Sequence, residues 1–445
     1  MPTTIAGFPF WELRFKEAGE PADSTAVANF IKEVKAQNLT DLFIFSHGWN
    51  NTPAAADILY RGFFGEMQKL LDNPNILKRR AATIGTAGVF WPSIKWPDEE
   101  AVDSVGGAAS LSGDGAGEDL FVELKKVFTT PQQQQTLDEL SALLDEQQRN
   151  EAALKQFKVK LRELVSESSI DESSPDSLEQ QAILYDDDNW EDIFDSLADT
   201  EPMEESAGGA AAGFGDRFGR LWRGARGALR TATYWQMKER AGVVGQRGLG
   251  PLVGQLHRDN HDLKVHLIGH SFGARLVSYA LAGLPDPPPG RKSPVKSLFL
   301  LQGAFSHFTF AAQLPFDQNR KGELGGMSSR VDGPLLATHT LRDLAVGHSY
   351  PIASFLGRQD ASRISDIDEY VRSRWGAMGY RGAQGVDAEE VQLAAAGFAY
   401  ACKPGKWINL DGNQVIVKGE TLSGAHSDII YPHTAWVALS AAGIG

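Results

Sequence analysis

Short apolar runs alternate with stretches of helical spacing over most of this chain, and the alternation is interrupted once. "FPFWELRFK" (8–16) alternates as a strand does, "STAVANFIKEVKAQ" (24–37) repeats its apolar residues at helical spacing, and "DLFIFSHG" (41–48) is a compact apolar run. "AADILYRGFFGEMQKLLD" (55–72) predicts a second helix and "TIGTAGVFWPS" (83–93) a further strand. The rhythm returns late in the chain. A helix is predicted over 233–259, a strand over "KVHLIGHS" (264–271), and a helix over "FGARLVSYALAGL" (272–284). Strands are predicted within 295–305, 334–343 and 406–417, and a last helix within 433–443. Short apolar runs between helices suit a mostly parallel sheet covered on both faces, so the expected class is α/β.

The interruption spans about residues 98–230. It carries Gly/Ala/Ser-rich ends around one expected helical segment, "QTLDELSALLDEQQRNEAALKQFKVKLRELV" (135–165). From Glu163 to Ser206 there are sixteen Asp or Glu and no Lys or Arg. Self-repulsion at that density, with few aromatics, predicts a solvated and flexible segment. The expected organisation is therefore one catalytic α/β domain from 1–97 and 231–445, with 98–230 inserted into it.

Composition narrows the classes further. With 57 acidic against 43 basic residues the formal charge is −14, which argues against nucleic acid as a partner. A single cysteine, Cys402, excludes an internal disulfide framework. The first twenty residues lack the basic start and apolar core of a secretion signal, and no run of about 18 apolar residues occurs. A cytoplasmic protein without a membrane span is expected.

The most informative stretch is Gly269-His270-Ser271-Phe272-Gly273, which fits G-x-S-x-G where a predicted strand turns into a predicted helix. A serine on that sharp turn stands proud of the sheet, and glycines on either side let neighbouring backbone approach. The helix start directs backbone N–H groups toward developing negative charge. A serine hydroxyl needs a base to take its proton and a third group to orient that base. In chain order the acid and the histidine should follow the serine. His426, in the loop after the last predicted strand, is the expected base, ahead of His433, His339, His348 and His307. Asp343, closing "LLATHTLRD", is the expected acid, with Asp360 the alternative and Asp317 a distant third. Acyl transfer also needs N–H donors for an oxyanion: Phe272, after the serine, and Trp49 in "FSHGWNN". His47 is expected to brace that loop and take no part in proton transfer.

"HGWNN", "FWPS", "KVHLIGHSFGARL", "THTLRDLAVG" and "AHSDII" occur in the order found in α/β-hydrolases. They most resemble a bacterial serine-hydrolase group with an HG-[aromatic]-NN oxyanion loop. The resemblance covers about 8–98 and 230–443. It implies the α/β-hydrolase fold, a Ser-Asp-His triad and no cofactor, and it does not fix a substrate. The triad itself leads to the expectation of a serine hydrolase acting on a small-molecule ester or lipid without a metal, with a lipase, phospholipase or acyltransferase, or a non-catalytic binding protein, as alternatives. The insertion departs from the resemblance and lies before the nucleophile strand, whereas many lids of this fold come later. At its end, Arg217, Arg220, Arg223, Arg226 and Arg230 fall on one side of a helix, opposite Phe214, Phe218, Leu221, Trp222 and Leu229. A basic amphipathic helix can lie on an anionic membrane. Packing of its apolar face, with the arginines meeting the acidic block upstream, is the favoured expectation.

Overall fold

The computed structural model describes residues 2–49, 51–77, 82–93, 116–144, 150–166, 190–198, 214–286, 292–349, 376–419 and 424–445. The chain divides into two compact units. One comprises Met1–Ser93, Arg240–Tyr350 and Arg374–Gly445; the other comprises Ile94–Glu239 and Pro351–Ser373.

The first unit is built on one nine-stranded sheet. In chain order its elements begin with β1 (Thr3–Ile5), β2 (Phe8–Arg14), α1 (Ser24–Ala36), β3 (Asp41–Ser46), α2 (Pro53–Leu71) and β4 (Ile84–Phe90). The second unit supplies α3 (Ala116–Val127), α4 (Pro131–Leu144), α5 (Glu151–Ser166), α6 (Trp190–Leu197) and most of α7 (Phe214–Val243). A π-helical turn, Val244–Leu249, leads into α8 (Gly250–Asp259), β5 (Lys264–His270), α9 (Phe272–Gly283), β6 (Val295–Leu301) and β7 (Leu335–His339). Then come α10 (Met378–Arg381), β8 (Ala388–Gln392), β9 (Trp407–Asp411) and α11 (Pro432–Ala441).

The strand order is β1-β2-β4-β3-β5-β6-β7-β9-β8, and every pairing is parallel except β1 with β2. All residues of β3 and β4 are buried, as a sheet covered on both faces requires. Neighbouring side chains of β2 show the two layers. The Phe10 ring lies 6.4 Å from Phe64 of α2, while the Trp11 ring lies 5.5 Å from Phe30 of α1. Successive strand residues point to opposite faces, so α1 and α2 sit on opposite sides of the sheet.

Register sets the level of the loops. Ser46 of β3 pairs with Gly269 of β5, and His270 pairs with Leu301 of β6. The segments beginning at His47, Ser271 and Gln302 therefore leave the carboxyl edge of the sheet side by side.

The spacing-based helices and strands are present, with several differences. The stretch expected as one helix over 233–259 is the end of α7, a π-helical turn and α8. The stretch expected as one helix over 135–165 holds two, α4 and α5. The helices α3 and α10 were not foreseen. Nor were β1, three residues long, and β8, whose "AEEVQ" alternates no apolar face. The acidic block is not wholly solvated: its residues 190–197 form α6, where Trp190, Ile193, Phe194 and Leu197 are buried. Apolar residues at helical spacing outweigh charge there, because each buries one face while the carboxylates stay outside.

Within the second unit, the Phe157 ring of α5 meets Trp222 of α7 edge to face at 6.1 Å. Lys160 of α5 bonds Glu139 of α4 at 2.7 Å. Arg217 and Arg220 of α7 pair with Glu191 at 3.0 Å and Asp195 at 2.5 Å, both in the acidic block. The α7 glycines also have a use. A Cβ at Gly224 would lie 1.8 Å from the Phe194 carbonyl oxygen, and one at Gly227 would lie 2.8 Å from that of Leu197. They let α6 and α7 touch backbone to backbone.

Candidate active site

Ser271 joins β5 to α9 with φ 57° and ψ −124°, a left-handed conformation that non-glycine residues rarely adopt. Its surroundings hold it there: the Ser271 N–H donates to the Leu301 carbonyl (3.1 Å), and the Ala304 N–H donates to the Ser271 carbonyl (3.3 Å). The glycines two residues away are sterically required. A Cβ on Gly269 would lie 2.3 Å from the Gly273 carbonyl oxygen, and one on Gly273 would lie 2.1 Å from that of Ser46. Strain of this kind persists only where packing over-determines it, and it concentrates at functional sites.

Three side chains distant in sequence meet at this turn. His426 Nε2 lies 2.8 Å from Ser271 Oγ, and His426 Nδ1 lies 2.7 Å from Asp343 Oδ2. The carboxylate accepts only, so Nδ1 carries a proton and Nε2 is left to accept the serine hydroxyl proton. Asp343 is fully buried and the His426 side chain is 12% exposed, so solvent reaches this chain of contacts from the imidazole side. The loops carrying the pair are stitched together: Asp343 and Gly424 form a single β-bridge, and the Ala425 N–H donates to the Arg342 carbonyl at 2.9 Å.

The segment leaving β3 passes directly over the serine. A Cβ on Gly48 would lie 2.5 Å from Ser271 Cβ and 3.1 Å from Oγ. His47 anchors this segment. Its N–H donates to Tyr60 Oη (3.0 Å), its carbonyl accepts from Trp91 Nε1 (3.0 Å), and its ring stacks on Trp91 at 5.6 Å. His47 Nδ1 donates to the Gly48 carbonyl at 2.8 Å, and burial pushes this imidazole down to about 4, so it is neutral. The Trp49 ring stacks on Phe272 at 6.0 Å, which brings together the two residues whose N–H groups were expected to face an oxyanion.

The other sequence candidates lie apart from the serine. His339, at the end of β7, meets Glu390 at 3.3 Å. His307 is buried beside Phe308, and His433 lies in the first turn of α11 against Tyr431. Asp317 accepts from the Asn319 N–H in a turn. The side chain of His348, and all of Asp360, fall outside the described residues.

Two further residues escaped the sequence reading. His270, inside the pentapeptide, donates from Nε2 to the His426 carbonyl (2.9 Å); burial and the nearby His426 ring push it down to about 3, so it stays neutral. Gln302 donates from Nε2 to Asp343 Oδ2 at 2.8 Å and has φ 46°. A polar residue followed by glycine at the carboxyl end of "VKSLFLLQG" is the signal that marked it; reading the strand on to 305 obscured it.

A buried serine-histidine-aspartate array also exists at the opposite, amino edge of the sheet. Asp41 Oδ1 lies 3.0 Å from His266 Nε2, and His266 Nδ1 lies 2.9 Å from Ser297 Oγ. These three residues are 1–3% exposed, and Ser297 lies inside strand β6, beside a register irregularity at Lys296. Cys402 is no competing nucleophile, since burial pushes its thiol up to about 11. Among the described residues no group of three or more His, Cys, Asp or Glu is arranged to hold a metal, and no helix is long and apolar enough to cross a membrane.

Comparison of the chain with protein-family models, curated proteins and solved structures finds no match. The functional reading therefore rests on geometry.

Proposed function

We propose that the protein is a serine hydrolase of the α/β-hydrolase fold that cleaves carboxylic esters through an acyl-enzyme on Ser271. The observation that carries this reading is the continuous contact Asp343–His426–Ser271 at a strained strand-to-helix turn. His426 Nε2 takes the hydroxyl proton as Oγ attacks the ester carbonyl carbon, whose oxygen becomes the anion. The N–H groups of Trp49 and Phe272 are the donors assigned to that oxyanion. Collapse expels the alkoxide, which leaves as an alcohol with the proton from Nε2. Water then gives a proton to Nε2 and its hydroxide to the acyl carbon. The acid departs and Ser271 regains its hydrogen. No cofactor or metal is needed in this scheme.

A lipase acting at a membrane is the reading the basic helix would favour. The pairing of Arg217 and Arg220 with Glu191 and Asp195 supports packing instead. Liposome flotation with and without 214–230 separates the two.

The test of the main reading is labelling by a fluorophosphonate probe together with hydrolysis of short p-nitrophenyl esters. Wild type labels and turns over, and Ser271→Ala does neither. A wild type inert to both overturns the proposal and leaves a non-catalytic binding protein on the same scaffold.

A further inference from the structure

The Asp343 carboxylate is fully buried and ringed by donors alone. Oδ2 accepts from His426 Nδ1 at 2.7 Å and from Gln302 Nε2 at 2.8 Å, and Oδ1 accepts from the Val346 N–H at 3.1 Å. Gln302 itself is 0% exposed, and its amide is held in one orientation. Both groups facing Nε2 are acceptors, Asp343 Oδ2 and the Gly379 carbonyl at 3.0 Å, so the NH2 end must point there. Oε1 accepts from Thr338 Oγ1 at 2.9 Å, while the Gln302 N–H donates to the same hydroxyl at 3.0 Å. One side chain thus ties the end of β6 to β7, to the loop carrying the acid, and to α10.

The backbone of Gln302 is left-handed at φ 46°, a strained state for a residue with a Cβ. A residue in this conformation at the level of Ser271 is consistent with selection for what its side chain reaches. The approach of α10 agrees, since a Cβ on Gly379 would lie 2.6 Å from the Gln302 carbonyl carbon.

We infer that Gln302 is the positioning residue for the acid: its amide fixes Asp343 Oδ2 on the line to His426 Nδ1. This rests on the hydrolase reading above. Gln302 touches neither substrate nor the nucleophile; it acts through Asp343. The titratable side chains of this network are Asp343 and His426; His270, which donates to the His426 carbonyl with its ring 5.0 Å from that of His426, adjoins it and is neutral.

The experiment compares wild type with Gln302→Glu, which keeps the shape but puts a carboxylate against Asp343. Two carboxylates so close share a proton. At high pH they repel and the acid is misplaced; on acidification the new carboxyl group donates to Asp343 in place of the amide. The expected result on a p-nitrophenyl ester is kcat lowered about 10- to 100-fold at alkaline pH, the range typical of outer hydrogen-bond partners in metal sites, with KM little changed. The ratio of variant to wild-type kcat rises about tenfold from about pH 9 to about pH 6. If Gln302→Glu does not fold, Gln302→Met carries the test through a fall in kcat at constant KM. An active wild type with either variant at full kcat overturns the inference alone. So does a loss equal at every pH and accompanied by a lower melting temperature, which marks a structural brace. An inert wild type overturns the hydrolase reading and this inference with it.

Discussion

Gly48 lies so close to Ser271 that a Cβ added to it would stand 2.5 Å from the serine Cβ. Relief requires the segment 47–49 to move away from Ser271, and Trp49, whose N–H is the proposed oxyanion donor, moves with it. Loss of one such donor costs about 100- to 1000-fold in kcat. Gly48→Ala is expected to lose activity in that range, with a lower melting temperature because the anchored segment is displaced. Full activity in the alanine variant contradicts the assignment.

Asp343→Asn should cut kcat by about 10,000-fold, because an amide in place of the carboxylate allows the wrong imidazole tautomer. Asp360→Asn should leave kcat unchanged. Steady-state kinetics of the two variants tests the choice of acid; the reverse pattern assigns the role to Asp360.

Ser297 gives an internal control. Its hydroxyl partners His266, which partners Asp41, yet it is buried within β6 and not at a strand-to-helix turn that would expose it. Ser297→Ala is expected to label with fluorophosphonate at the wild-type rate and to lose about 1–3 kcal/mol of stability, because a buried ring nitrogen loses its partner. Slower labelling would show that this array takes part in the chemistry.

Acid should destabilise the fold through its neutral histidines. His47 and His270 are pushed by burial to about 4 and about 3 from an ordinary 6.5. Below about 6.5 the unfolded chain binds protons that the native chain excludes. Stability is therefore fully present above that pH and is lost as pH falls toward the folded values, by about 1.4 kcal/mol per unit for each ring. Urea midpoints at about pH 7.5 and about pH 5 measure this. His270→Gln should make the dependence shallower, and an unchanged slope excludes His270 as a source.

In the second unit, Gly224→Ala sets propensity against packing. Alanine favours the helix by about 1 kcal/mol, but its Cβ would lie 1.8 Å from the Phe194 carbonyl oxygen. Steric conflict wins, and α6 should separate from α7. Hydrogen exchange across 190–198 is expected to accelerate; stronger protection would reverse the argument.

Most strands and helices of the first unit were legible because each is a compact apolar run or carries helical spacing, from the five residues of β7 to the nineteen of α2; the four-residue α10 is too short for either. The exceptions have local reasons. β1 is too short to show a period, and β8 is a charged, mostly exposed edge strand that buries no alternating face. The helix α6 was hidden under the charge of its neighbours.

What the sequence determined by itself is the turn at Ser271, since a strand, a helix and two glycines around a serine specify a local backbone geometry. Chain order narrowed the base and the acid to a few residues. Only tertiary structure decided which of them meet: it brought together side chains 155 and 83 positions apart and added His270 and Gln302. The physical reason is strand register. Side chains from separate loops meet when parallel pairing brings the ends of β3, β5, β6, β7 and β9 to one level, and that alignment follows from the packing of the whole sheet.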